Sequence, residues 1–172
     1  MTAAPIRYSI QPIDLAGHLF SVSCEIGAPA PAGQCLSLPA WIPGSYMIRD
    51  FARNIVSMSA ESEGKPVGLE KLDKHTWRAA PVADGAVLRL IYTVYAWDLS
   101  VRTAHLDQTH GFFNGTSVFL AVEGQTDLPC QVDILPPPAD AVGHWRVATA
   151  MREAVDVDGA AHRHGFGWYE AG

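Results

Sequence analysis

An all-β fold, an antiparallel β-sandwich of short strands with at most one or two short helices, is what this sequence predicts. Three observations carry that prediction. Apolar and polar residues alternate with period two in several separate segments. Turn formers are frequent, with 15 Gly and 12 Pro in 172 residues. No stretch sustains a 3.6-residue apolar period long enough for a sizeable helix.

Taken in order, residues 18–26 read as a strand, with Phe20, Val22, Cys24 and Ile26 alternating with Ser21, Ser23 and Glu25. Residues 47–55 are the best helical candidate, since Ile48, Phe51, Ala52 and Ile55 can share one face after Pro43-Gly44. Residues 55–61 set Val56, Met58 and Ala60 against Ser57, Ser59 and Glu61, and Gly64-Lys65-Pro66 reads as the turn that follows. Thr76-Trp77-Arg78 is a further short strand. Residues 86–97 form the longest run, with Leu88, Leu90, Tyr92 and Val94 on one face. The other face, Val87, Arg89, Ile91, Thr93 and Tyr95, is also partly apolar, as in a central strand. Shorter candidates lie at 117–122, 130–135 and 146–150. Ala83-Asp84-Gly85, Asn114-Gly115, Pro136-Pro137-Pro138 and Asp158-Gly159 separate the strands.

A chain of this length fits one domain and buries a substantial core. The net charge of −6 and the lack of any Lys/Arg run exclude a phosphate-neutralising nucleic-acid binder. No apolar run approaches the roughly 20 residues of a membrane span. Residues 1–5 carry no basic segment leading into an apolar one, so a soluble, cytoplasmic protein is expected. Cys24, Cys35 and Cys130 lie far apart, with no C-x-x-C spacing, and read as small buried residues. Phe166, Trp168 and Tyr169 crowd the last seven residues, which predicts that the chain continues into something they pack against.

No H-E-x-x-H, G-x-S-x-G, Walker or G-x-G-x-x-G motif occurs. His105-Leu106-Asp107, with His144, His162 or His164 as a distal ligand, matches the ligand set of a two-His-one-carboxylate site. A chain with seven His and 18 Asp or Glu supplies about one such pair by chance, so no metal site is assigned. His162-Arg163-His164 reads as an exposed arm, and Ser45 as a turn hydroxyl rather than a nucleophile. Two segments are denser in unusual residues than a bland loop requires. Residues 39–51 hold two Pro, a Gly, Trp41, Tyr46, Phe51 and an Arg49-Asp50 pair. Residues 110–117 hold Phe112, Phe113 and Asn114-Gly115, a type I′ hairpin signal.

These two segments, with Asp98-Leu99-Ser100-Val101-Arg102 and Ala104-His105-Leu106-Asp107 between them, resemble the N-terminal domain of the glycyl aminopeptidase family. The strings that carry the likeness are Trp41-Ile42-Pro43-Gly44-Ser45-Tyr46 and Gly111-Phe112-Phe113-Asn114-Gly115-Thr116-Ser117, and it runs from about residue 6 to the end. The resemblance implies thermolysin-type zinc peptidases with an N-terminal β-domain, a helical catalytic domain bearing H-E-x-x-H, and a C-terminal PDZ domain. Residues 1–172 then form the single accessory β-domain. No residue here matches a zinc ligand or general base, so no catalytic residue is carried over. The zinc is expected in the catalytic domain beyond this chain, with no cofactor in this part.

By the same resemblance, the β-domain packs on its catalytic domain and helps shape a peptide cleft. The Phe112–Thr116 hairpin faces that cleft, with Asn114 accepting from the substrate amine, and Tyr46, Arg49 and Asp50 lie beside it. The partners expected are the catalytic domain, peptide substrate and, through an exposed interdomain face, a second copy. One alternative is a stand-alone carbohydrate-type module that stacks sugars on Trp41, Tyr46 or Trp97. Another is an oxygenase built on His105 and Asp107.

Overall fold

The computed structural model describes residues 6–138, 145–155 and 157–171. Among them the strands are β1 Ile6–Asp14, β2 Leu19–Ile26, β3 Gln34–Ser37, β4 Ile55–Ser62, β5 Lys65–Val67, β6 Leu69–Lys71 and β7 Thr76–Ala79. They continue with β8 Leu88–Tyr95, β9 Ala104–Leu106, β10 Gly111–Phe113, β11 Ala121–Val122, β12 Cys130–Ile134, β13 Arg152–Glu153 and β14 Gly167–Ala171. The helical content is one 3₁₀ turn, Phe51–Asn54, and one four-residue α1, Gly115–Val118.

A large sheet runs in the order β13-β14-β12-β1-β2-β8-β4-β5, and a smaller one in the order β11-β3-β7-β6. Alternation explains why they pack together. Ile6, Tyr8, Ile10, Phe20, Val22, Cys24, Leu88, Leu90, Tyr92 and Val94 leave the large sheet on one face and meet Leu36, Trp77, Ala79 and Val122 from the small one in a single core. The opposite face of the large sheet is polar. On its rows Glu61, Arg89, Glu25 and Arg7 stand side by side with alternating charge. The sandwich is all-β as expected, but one pairing is parallel, β1 with β12, because β12 returns from far along the chain.

Strand β8 is central, paired on both sides, as its two-faced apolar pattern implies. Elsewhere local signals give way to packing. Val56 was expected on the apolar face of β4, yet it is 63% exposed because the register slips between Ile55 and Ser57. The hairpin turn after β4 is Glu63-Gly64, not Gly64-Lys65-Pro66. Both residues have positive φ, as a type I′ turn needs, and Lys65–Val67 is already the edge strand β5. The helix expected over 47–55 shrinks to the 3₁₀ turn, since Asp50 at φ 47° starts it and Ile48 is exposed. Residues 117–122 are mostly not strand; they finish α1 and enter β11. Residues 146–150 form no strand, and the pairing falls two residues later, in β13.

The terminal aromatics find partners inside the fold. Tyr169 is buried with Val147 and Ala161, its hydroxyl donates to the Gly165 carbonyl, and the Arg7 guanidinium lies over Trp168 at 5.5 Å. His162, Arg163 and His164 are exposed, as expected of that arm.

Gly33 shows how tightly the small sheet closes. Its φ is +103°, and an added Cβ would lie 2.7 Å from the Ala79 carbonyl oxygen across β3 and β7. Gly33→Ala is therefore expected to lower stability by about 1–3 kcal/mol, read as a lower urea midpoint. An unchanged midpoint would show that the backbone there yields freely.

Candidate functional site

Two buried tyrosines set the geometry of one end of the sandwich. The Tyr92 hydroxyl donates to the Val118 carbonyl at 2.7 Å and accepts from the Leu120 N–H at 3.2 Å. The Tyr8 hydroxyl donates to the Leu120 carbonyl at 2.7 Å. Strands from the large sheet thus clamp the segment just after α1. Burial pushes both phenols far above their ordinary pKa, so both stay neutral donors.

The clamp decides what Asn114-Gly115 does. Rather than a type I′ hairpin, Asn114 has φ −91° and caps α1. Its Oδ1 accepts from the Thr116 N–H at 3.1 Å and the Thr116 hydroxyl at 2.6 Å. Its Nδ2 donates to the Val101 carbonyl at 3.3 Å, and its backbone N–H donates to the Thr103 carbonyl. The polar atoms of Asn114 are thereby engaged in holding the 98–103 loop against α1.

That loop is itself tightly wound. Asp98 Oδ1 accepts from the Ser100 N–H at 2.8 Å, and the Thr103 hydroxyl bonds the Asp98 and Ser100 carbonyls. From it, Arg102 Nη2 donates to the Gly44 carbonyl at 3.0 Å, 58 residues away in sequence. Gly44 sits in a turn the sequence dictates. Pro43 precedes it, its own φ is +81°, and the Ser45 N–H returns to the Ile42 carbonyl at 3.1 Å, the pattern of a type II turn. Ser45 is a buried turn hydroxyl, as expected, donating to the Met47 carbonyl at 2.9 Å. The Trp41 indole N–H donates to the Ser45 carbonyl at 2.7 Å.

Two braced loops result, and their tips are apolar. Tyr46 (104% exposed), Ile48 (71%), Leu99 (72%) and Val101 (69%) face solvent, and Trp41 and Met47 are also exposed. Tyr46, Arg49 and Asp50 lie in the first loop. Arg49 and Asp50 do not pair with each other. Arg49 reaches Ser45 Oγ at 3.3 Å, and Asp50 faces Lys74 at 3.7 Å. Asn114 joins this loop only through Val101 and Arg102. Phe112 does not join it; it borders a separate apolar cavity of about 180 Å³ with Phe20, Trp145 and Met151. Arg102 and Leu99 are the residues that sequence reasoning left out of the site. The Asp98–Arg102 string was visible, but its contact with Gly44 was not.

His105 pairs with Asp107 at 3.1 Å, but neither His162 nor His164 approaches them; His164 Nδ1 faces the Val147 carbonyl instead. His144 lies outside the described residues. Trp97 stacks on His18 at 3.9 Å and on His105 at 4.8 Å, and its chain neighbour Ala96 is hydrogen-bonded to His18 on one side and Leu106 on the other. The indole stacks on both imidazoles and is still 53% exposed. The Thr109 hydroxyl, then the backbone N–H groups of Thr109 and His110, hold the Asp107 carboxyl far below the usual carboxylate range. Among the described residues no helix is long and apolar enough to cross a membrane.

Fold and loops together define a β-domain of two packed sheets and a separate β9–β10 hairpin, whose polar groups brace surface loops, with no nucleophile–base pair in that cluster. Residues 7–171 match the model of the Peptidase M61 N-terminal domain, and the chain belongs to that family. An aminopeptidase N family protein from Idiomarina loihiensis, solved as a crystal structure, is 46% identical and superposes with a TM-score of 0.87; the match covers 96% of this chain and 27% of that one. A mutant of the M1 zinc metallopeptidase from Deinococcus radiodurans, bound to a Tyr-Ser-Ala substrate, has a TM-score of 0.51 at 12% identity, a likeness of fold alone. That match covers 98% of this chain and 38% of the other. This chain therefore spans roughly a quarter to two-fifths of the length of these proteins. No curated protein sequence matches it.

Proposed function

We propose that this chain is the non-catalytic N-terminal domain of a zinc-dependent aminopeptidase. It docks on the catalytic domain through the 41–48 and 99–101 loops and helps shape the substrate cleft. The observation that carries the reading is the set of exposed apolar tips on two loops braced by Arg102 and Asn114. Bare apolar side chains on a rigid support suit a permanent partner better than solvent. The zinc belongs to that partner, since this chain has neither H-E-x-x-H nor a downstream glutamate serving it.

Within this reading Tyr46, Arg49 and Asp50 border the cleft, and Asn114 acts by positioning, since its oxygen is already engaged. A cytoplasmic setting accords with three unpaired cysteines. Ile48→Asp combined with Leu99→Asp in the longer enzyme tests the docking. Cleavage of glycyl substrates should fall at least tenfold, while the isolated chain keeps its melting temperature because both side chains are solvent-facing. Wild-type activity in the double variant would remove the docking reading. Asn114→Ala should change the ratio of rates on free and N-blocked glycyl substrates, and an unchanged ratio would take Asn114 out of cleft positioning.

A further inference from the structure

The hairpin formed by β9 and β10 brings three metal-binding side chains together, and the third is one that sequence reasoning did not select. His105, Asp107 and His110 offer ligand atoms that all lie within 4.8 Å of one another. His105 Nε2 is 3.1 Å from Asp107 Oδ2, and His110 Nδ1 is 3.3 Å from Asp107 Oδ1. Two ligand atoms that each sit about 2.1 Å from one ion are separated by roughly 3.0–3.4 Å. Each imidazole nitrogen already stands at that spacing from one carboxylate oxygen, His105 from Oδ2 and His110 from Oδ1.

We infer that His105, Asp107 and His110 form a binding site for a first-row divalent transition ion of the zinc class. Two imidazoles and a carboxylate suit that class rather than calcium or magnesium, which prefer all-oxygen shells. The ligands are held before any ion arrives. His105 is 3% exposed and stacked on Trp97, and His110 lies against it at 5.1 Å between ring centroids. Asp107 is oriented by the Thr109 N–H and hydroxyl, both at 2.7 Å, and by the His110 N–H at 3.0 Å. On one side a hollow of about 590 Å³, bordered by Arg53, Tyr95, Trp97 and Asp98, leaves room for water to complete the shell.

Ligation through Nε2 moves the His105 proton to Nδ1, a buried atom with no hydrogen-bond partner. That unpaired donor is a cost which the metal–ligand bonds must offset. His110 keeps its other nitrogen toward solvent, with 53% of its side chain exposed. An ion on these three side chains ties β9 to the turn before β10. It would pin the hairpin that leads from the 98–103 loop to Asn114.

Calorimetric titration of the 172-residue chain with Zn²⁺, and of its His110→Ala variant, tests the site. His110 is exposed, so the variant should fold. One equivalent of zinc is expected to bind, at least tenfold more weakly in the variant, while a His162→Ala, His164→Ala double variant keeps wild-type affinity. Cu²⁺ should quench fluorescence in the parent chain and much less in Trp97→Phe, because the indole stacks on a ligand. Absence of binding, equal affinity in His110→Ala, or equal quenching without Trp97 would each overturn the proposal.

Discussion

Tyr92→Phe should cost about 1–3 kcal/mol of stability, although it removes one oxygen atom from an apolar core. That hydroxyl is the partner of both the Val118 carbonyl and the Leu120 N–H, and Tyr92 is 1% exposed. Water does not reach the two backbone groups, so each is left unpaired, and the loss exceeds that of an ordinary hydrogen bond. In a chain of this size about 2–4 °C of melting temperature accompanies each kcal/mol. Tyr8→Phe should cost less, because it strips only the Leu120 carbonyl. The diagnostic result is local as well as global. Amide exchange at residues 115–120 should quicken in Tyr92→Phe more than exchange in β1 or β2. A melting temperature within 1 °C of the parent would mean that the clamp contributes nothing.

Alkaline pH should unfold this domain steeply. Burial pushes the Cys24 thiol up to about 12 and lifts Tyr8 and Tyr92 far above the ordinary phenol value. All three groups have folded pKa values above those of the unfolded chain, about 8.5 for Cys and 10 for Tyr. Their contribution is thus complete below about pH 8.5. As pH rises further the unfolded chain releases protons that the folded chain keeps, and stability falls. Each such group lowers it by about 1.4 kcal/mol per pH unit once the unfolded form has ionised. Urea midpoints measured from about pH 8 to 11 should drop with growing slope, and Tyr92→Phe should flatten that slope by one proton. Midpoints that stay level over this range would refute the burial of these groups.

Strands were readable where the period-two pattern met no competitor. Residues 18–26 and 86–97 carry clean alternation, and they are β2 and β8 at the middle of the large sheet. The same pattern was present in Ile6, Tyr8 and Ile10, which make β1, but it was not singled out. The short strand β3 holds only four residues, too few for a period to declare itself. Asn114-Gly115 shows the opposite case. The dipeptide marks the end of β10, but it opens α1 instead of making a hairpin turn, and that helix is tied at its end by hydroxyls from Tyr8 and Tyr92, more than 20 residues away in sequence. Residues 47–55 look amphipathic, but the Ser45 hydroxyl and the left-handed Asp50 divert the backbone before a helix can form.

The site was legible as two unusual segments and illegible as a shape. Proline, glycine and aromatic density marked residues 39–51, and the resemblance linked them to residues 98–117. Nothing in the chain announces that Arg102 bonds Gly44, or that Phe112 borders a different cavity, shared with Trp145. His110 was passed over because the expected third ligand was sought at a distance, whereas the hairpin supplies it three residues after Asp107.

Hydrogen exchange at the two braced loops tests the docking account most directly. Backbone amides of residues 41–50 and 98–103 should exchange at least tenfold more slowly when the chain is joined to the catalytic domain proposed for it than when it stands alone, with β2 and β8 unchanged. Equal exchange of both loops in the two settings would mean that these apolar tips face solvent in the whole enzyme, and that the domain serves it by some other surface.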